Sequence, residues 1–309
     1  MRLGIDVGGT KTAAVVLDDN DVAVEELTRP TGYGRDQVLA SVLETSAELA
    51  QRVGLTADRF ASIGIGIPGA VNAQIGRVEH AVNLGLDRFD LGSEAAARLG
   101  TRVSVENDVN AAAVGAYRYV ATTGGDTSLG TDGLAYLNLG TGLAAGIVLD
   151  GHLRRGSSGV AGEIGHIPVD PGGVICSCGQ RGCLETVASG SAIARQWPTT
   201  GTSPVHDMMA AAAAGDPVAG RIRALLFEGV ATAVRILTLS VDVRTVVLGG
   251  GVTSLGEPLL SGVDAVLNEW AEASPFIASL RLGERIRVIP RTHPVAAVGA
   301  ALIGVSNSV

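Results

Sequence analysis

The chain opens twice in the same way. Near the N-terminus an apolar run, "RLGIDV", meets the turn "GGTK" and a second apolar run, "TAAVVLDD"; from Leu134 the series "LAYLNL", "GTG", "LAAGIVLDG" repeats that order. Two apolar runs joined by a tight glycine-containing turn read as a β-hairpin. A hairpin made once leaves many folds open. A hairpin restarted in the second half, and followed each time by alternating helical and strand patterns, narrows the choice to a doubled α/β architecture. The repeat is one of fold and not of sequence, and it predicts two α/β lobes facing a cleft.

The intervening segments fit that plan. A third strand is expected near "VAVEEL". Val38, Leu39, Val42, Leu43, Leu49, Ala50 and Val53 recur at spacings near three and four, which predicts a helix with Gly54 at its C-cap. "ASIGIGIPGA" reads as a buried strand, and "TRVSVEND" as a strand that ends in polar residues just before the helical run "VNAAAVGAYRYV". The polar, glycine-rich "ATTGGDTSLGTDG" reads as a surface loop leading into the second half. There, "VHDMMAAAAAGDP" and "GVATAVRILTLSV" read as helices, and "RTVVLGGG" and "RIRVIP" as strands. The expected lobes are residues 1–118, completed by 296–309, and residues 119–295. Hydrophobic residues make up 46% of the chain and aromatic residues 3%, so the core is expected to be large and aliphatic.

Net charge is −8 with no basic run, which argues against nucleic acid as the main partner. No stretch approaches the apolar length of a membrane span. The start, "MRLGIDVGG", reads as a strand and not as a charged leader. A cytoplasmic protein without a membrane partner is expected, in a compartment that keeps thiols reduced.

Glycine turns after strands aim backbone N–H groups at one point, and such nests bind phosphate. In "DVGGTKT", Thr10 adds a hydroxyl and Lys11 a charge; Lys11 is the only lysine in the chain. Taken alone, this stretch reads equally as a plain hairpin turn. The second turn, with Gly140, Thr141 and Gly142, repeats the chemistry, and the pair could hold one polyphosphate from both sides. "VVLGGGV" supplies a third glycine turn where a nucleoside could pack on backbone. "GIGIPG", Gly64 to Gly69, matches the dinucleotide fingerprint, with Asp87 at the expected distance. That fingerprint needs a helix to begin inside it. Pro68 is instead followed by "AVNAQIGRV", whose Asn72 and Gly76 predict another β-turn.

"VENDVNAAA" places Asn107 and Asp108 where a strand gives way to a helix, a position for a catalytic carboxylate and equally for a helix cap. More specific is the run "CSCGQRGC". It holds every cysteine of the chain, Cys176, Cys178 and Cys183, with His166 ten residues before the first. Three thiolates and an imidazole make a closed tetrahedral zinc set, which is structural and not catalytic.

Together, "DVGGTKT", "VENDVNAAA", "GTGLAAG", "GEIGH" and "CSCGQRGCLE" resemble the ROK family, which combines bacterial sugar kinases with sugar-responsive repressors. The resemblance runs from about residue 3 to about residue 304. It implies the two-lobed, actin-like ATPase (ribonuclease H-like) fold, with sugar and ATP in the cleft, and a homo-oligomer, dimer or tetramer. It implies Asp108 as general base and Asn83, Asn107, Glu163, His166 and Glu185 as sugar ligands. Asp6, Gly8, Gly9, Thr10, Lys11, Thr141 and Gly142 would lie near phosphates and Mg2+, and Gly249, Gly250 and Gly251 near the adenosine. His166 would then turn one ring nitrogen to zinc and the other to a sugar hydroxyl. Two departures from the family pattern stand out: Ala144 and Ala145 replace a glycine pair, and Ala116 stands near a position where many members have glutamate.

The implied activity is ATP-dependent phosphorylation of a hexose, with glucose first and N-acetylmannosamine, N-acetylglucosamine, glucosamine and fructose as alternatives. ATP and polyphosphate both stay open as donor. The competing readings are a sugar-responsive regulator and a zinc-stabilised sugar-binding protein without catalysis. Family regulators carry a helix-turn-helix domain ahead of the ATPase-like part, and here that part begins at about residue 3.

Overall fold

Strands β1 (Arg2–Val7), β2 (Lys11–Leu17) and β3 (Ala23–Pro30) form the first expected hairpin and its continuation. β1 then pairs in parallel with β4 (Ile63–Ile67), and β4 in parallel with β8 (Val103–Asn107). The sheet order is β3-β2-β1-β4-β8. The register sets Asp6 opposite Gly66, Gly66 opposite Glu106 and Ile67 opposite Asn107. Three parallel strands thus deliver Asp6, Gly66 and Asn107 to one edge of the sheet, the carboxyl edge at which open α/β sheets bind ligands. A second small sheet, β5 (Ala70–Asn72), β6 (Arg77–Ala81) and β7 (Leu86–Phe89), follows β4. β4 runs into this hairpin and not into a helix, so "GIGIPG" is no dinucleotide turn. Asn83 lies in the short turn Val82–Leu84 between β6 and β7.

This computed structural model describes residues 1–123, 133–201 and 203–304. Two compact units emerge from it. The first comprises Met1–Gly130, Gly146–Ala161 and Pro290–Val309; the second comprises Thr131–Ala145 and Gly162–Ile289. The expected division at residues 118/119 and 295/296 left Gly146–Ala161 in the second lobe, whereas the fold gathers it with the first unit. The expected loop from Ala121 begins inside a helix that runs to Thr123, and its residues 124–132 lie outside the described residues.

In the first unit, helix α1 (Arg35–Arg52) buries Val38, Leu39, Val42, Leu49 and Ala50, the face that the spacing predicts. α2 (Leu91–Leu99) precedes β8, and α3 (Asp108–Thr123) follows it directly. The helix Val295–Ile303 packs on β1, β4 and α3. The core is mostly aliphatic, as composition requires: Leu3, Ile5, Ile63, Ile65, Ile67 and Leu84 are enclosed, with the rings of Phe60 and Phe89 among them.

The other sheet repeats the first in plan. β9 (Leu134–Leu139), β10 (Leu143–Leu149) and β11 (His152–Leu153) succeed one another across short turns, and β12 (Thr245–Gly249) and β13 (Ile286–Val288) add in parallel on the far side of β9. The order is β11-β10-β9-β12-β13. In both sheets the hairpin strands lie on one side and the parallel strands on the other. One expectation is corrected here. The helix Pro217–Val241, 25 residues long, is long and apolar enough by composition to cross a membrane. Its buried residues Ile222, Leu226, Val230 and Val234 recur every fourth position, and Arg221 and Glu228 are exposed, which is the pattern of an amphipathic core helix.

Candidate functional site

In the first unit the glycine turn after β1 is closed by the Gly8 N–H donating to the Lys11 carbonyl at 2.9 Å. Thr31, buried, braces it from the side: its hydroxyl donates to the Gly8 carbonyl at 2.7 Å and its N–H to the Thr10 carbonyl at 3.2 Å. Three residues on, the Gly34 N–H donates to the Leu84 carbonyl at 2.8 Å, so one short segment ties the phosphate-type turn to the loop that carries Asn83. A methyl group at Gly9 would stand 3.5 Å from the Asn83 Cβ. Asp6, Gly8, Gly9, Thr10, Lys11 and Asn83 are therefore neighbours.

Asp108 joins them through the sheet register. A Cβ at Gly66 would meet the Ala111 Cβ at 3.2 Å, the Asp108 Cα at 3.7 Å and Asp6 Oδ1 at 3.9 Å. Glycine at this point leaves open the space that separates the two carboxylates. Asp6 is half-buried, and its carboxyl is pushed up to about 7, first by burial and then by the Asp108 charge, with Lys11 pulling the other way. The question of the helix cap is also decided. Asn107 Oδ1 accepts from the N–H groups of Val109 at 2.9 Å and Asn110 at 3.2 Å, and its amide donates to the Gly69 carbonyl at 3.1 Å. Asn107 is the cap, and Asp108 occupies the first turn of α3 with Oδ1 near its neighbour's N–H.

The second unit holds the metal-type cluster. Nδ1 or Nε2 of His166 and the sulfurs of Cys176, Cys178 and Cys183 all lie within 4.8 Å of one another. Two short bridges, Pro168 with Cys183 and Ile175 with Arg181, fold the loop back on itself. Cys176 Sγ lies 3.7 Å from His166 Nδ1, and Cys178 Sγ lies 3.7 Å from Cys183 Sγ. A tetrahedral zinc with Zn–S bonds of about 2.3 Å sets its sulfurs about 3.8 Å apart, so the donor set fits that ion. The Gln180 backbone N–H and then its amide lower the Cys178 thiol to about 6, while burial pushes Cys183 up to about 12. The other ring nitrogen of His166, Nε2, is 4.0 Å from a Glu163 oxygen.

Glu185 links this loop to the second glycine turn. Its Oε2 accepts the Leu143 N–H at 3.0 Å, while Oε1 lies 4.0 Å from Cys176 Sγ. Any side chain at Gly142 would collide with the Glu185 carboxylate. Thr141 is held too, its carbonyl accepting the Ser191 N–H at 3.1 Å. The third turn lies alongside: Gly249 pairs with Asn138 across β12 and β9, and Gly250 and Gly251 follow it. Sequence reasoning treated the glycine–threonine turn and the cysteine loop as separate parts; through Glu185 they are in contact. Thr31, Glu106 and Arg155 also brace the edge of the first sheet, and no expectation from sequence names them. Only Glu106, inside "VENDVN", carried a local signal.

Doubled sheets of this plan, each opening on a glycine-turn hairpin, define the two-lobed actin-like ATPase fold, and solved structures agree. A Streptomyces griseus ROK family glucokinase, in complex with glucose and AMPPNP, superposes with a TM-score of 0.79 at 30% identity over 98% of both chains. The ROK family profile matches residues 2–304, and the chain belongs to the ROK family. Among curated relatives, the Streptomyces coelicolor glucokinase is 39% identical over 195 residues, a match that spans 63% of this chain and 58% of that one. The N-acetylmannosamine kinase of Citrobacter koseri is 32% identical over 310 residues and 97% of each chain.

Proposed function

We propose that the protein is an ATP-dependent hexose kinase that converts glucose to glucose 6-phosphate in the cytoplasm. The observation that carries this reading is the edge of the first sheet, where Asp108 stands beside the half-buried Asp6 while Asn107 takes over the capping of α3. In this reading Asp108 accepts the proton of the sugar hydroxyl. Phosphoryl transfer otherwise asks for positioning and charge stabilisation. Asp6 with Mg2+, the Gly8–Lys11 turn, and Thr141 with Gly142 supply these around the phosphates, and Gly249–Gly251 receives the adenosine. Asn83, Asn107, Glu163, His166 and Glu185 hold the sugar hydroxyls. Zinc on His166, Cys176, Cys178 and Cys183 would fix the loop that bears His166 and Glu185, so that the hydroxyls meet acceptors already in place. Its role would be structural, since four protein ligands would close its shell.

A second reading keeps the reaction and changes the sugar. Similarity to the N-acetylmannosamine kinase of Citrobacter koseri, 32% identical along 97% of the chain, supports N-acetylmannosamine as acceptor. The deciding experiment is a coupled kinase assay with ATP or polyphosphate and a panel of glucose, N-acetylmannosamine, N-acetylglucosamine, glucosamine and fructose. Glucose with ATP should give the highest kcat/KM. Preference for N-acetylmannosamine would select the second reading, and binding without turnover of any sugar would return the protein to a sensor or regulator.

A further inference from the structure

Glu106, 2% exposed, is the last residue of β8 before Asn107 and Asp108. Both of its oxygens are engaged. Oε1 accepts from the Asn107 N–H and from the Asn110 amide, each at 3.0 Å. Oε2 accepts from Arg155 Nε at 2.6 Å. Arg155 is 40% exposed and belongs to Gly146–Ala161, the segment that the fold gathers with the first unit. Asn107 passes the constraint on, since the same side chain caps α3 and bonds to Gly69.

We propose that Arg155 is a positioning residue for the reaction: through Glu106 it fixes Asn107 and Asn110, and with them the start of α3 that carries Asp108. The inference rests on Asp108 as the base of the proposed kinase. A carboxylate bound at both oxygens cannot rotate about its terminal bond. Its N–H and amide partners then take their places from it. A buried carboxylate also needs a counter-charge, and losing one partner of such a pair is disruptive because the other charge stays buried. Without Arg155, Glu106 loses the partner that holds Oε2 and moves, and its two acceptor contacts at the α3 terminus move with it. Arg155 itself is partly in water, so its removal opens no cavity. A purely structural ion pair would show itself in stability alone. A positioning pair shows itself in kcat, because displacing a reacting group by about 1 Å can cost on the order of 100-fold.

The test compares Arg155→Gln, Arg155→Lys, Glu106→Gln and the Gln/Gln double variant in the zinc-loaded protein. kcat and KM are measured for both substrates, beside the melting temperature. Arg155→Gln should lower kcat by about 10- to 100-fold with KM for ATP within about twofold, measured well below its melting temperature, because leaving Glu106 unpaired also lowers stability and the kcat loss must appear in the fully folded protein. Arg155→Lys should recover part of the loss by restoring the charge. In the Glu106→Gln background, Arg155→Gln should add less than about twofold, because the pair acts as a unit. If Glu106→Gln does not fold, the lysine rescue decides. An active wild-type protein whose Arg155→Gln variant keeps full kcat overturns this inference alone. So does a lysine variant no better than glutamine, or a loss undiminished in the Glu106→Gln background. A wild-type protein inactive on every sugar overturns the proposed function and this inference with it.

Discussion

Asp6 is a buried-type acid at the centre of the first unit's polar edge, and replacing it by asparagine should stabilise the ligand-free protein in a pH-dependent way. Its carboxyl stands at about 7 against an ordinary 3.8. At about 1.4 kcal/mol per tenfold, full ionisation in the folded chain costs roughly 4 kcal/mol relative to the unfolded chain. The direction follows from a raised carboxyl. The folded state holds the proton better, so Asp6's contribution is fully present below about pH 3.8 and is lost as pH rises through about 7. Asparagine carries no proton to lose. At pH 5 the unfolded carboxyl is already mostly ionised, so part of the loss has occurred; the remainder, between pH 5 and pH 8, is roughly 2 kcal/mol after allowance for partial access to solvent. Urea unfolding of both proteins without magnesium at these two pH values gives the difference directly. Asp6→Asn should gain on wild type by about that amount across the interval. Added magnesium and ATP should shrink the gain, because a cation beside Asp6 relieves the same penalty in the wild type. A stability difference flat between pH 5 and pH 8 would mean that the carboxyl is not raised, and that Asp108 and burial do not act on it as described.

Three further outcomes are expected. Zinc binding to the metal-free protein at pH 7 should release at least one proton, because the ion takes a thiolate and Cys183 is protonated there with its thiol near 12; calorimetry in buffers of different ionisation enthalpy measures it, and no release would exclude Cys183 as a ligand. Cys178→Ser should lose the metal and weaken glucose binding by at least 10- to 100-fold, read by metal analysis and calorimetry; normal glucose binding without zinc would make the metal a remote staple. Gly142→Ala should impair nucleotide and sugar sites together, since its methyl group meets the Glu185 carboxylate, with about 10-fold or larger loss in kcat/KM for both substrates; a loss confined to ATP would separate the turn from the cysteine loop again.

The parts of this fold written in local pattern were legible. The two glycine-turn hairpins, the periodic face of α1 and the β8–α3 junction each lie in one continuous stretch. So does most of the cysteine cluster, whose ligand types and spacing carry their own chemistry. What was not legible is what parallel pairing creates. Asp6 comes beside Asp108 only because β4 inserts between β1 and β8 with Gly66 in register. Glu185 meets Leu143 across 42 residues, and Arg155 meets Glu106 across 49, with no periodicity to announce either. α2 and β7 are short, and the turn chemistry around them dominated the pattern. Capping was ambiguous in sequence because Asn107 and Asp108 are both good caps, and hydrogen bonds alone assign the task to Asn107.

The most direct test is Asp108→Asn, measured for glucose phosphorylation by the coupled assay and for glucose binding by calorimetry. A general base contributes on the order of 10² to 10⁴ in rate. The variant keeps the shape of the side chain, and Asn107 still caps α3. kcat should fall by at least about 100-fold while the Kd for glucose stays within a few-fold. Turnover within a few-fold of wild type would contradict the account, since Asp108 would then be a structural residue at the head of a helix.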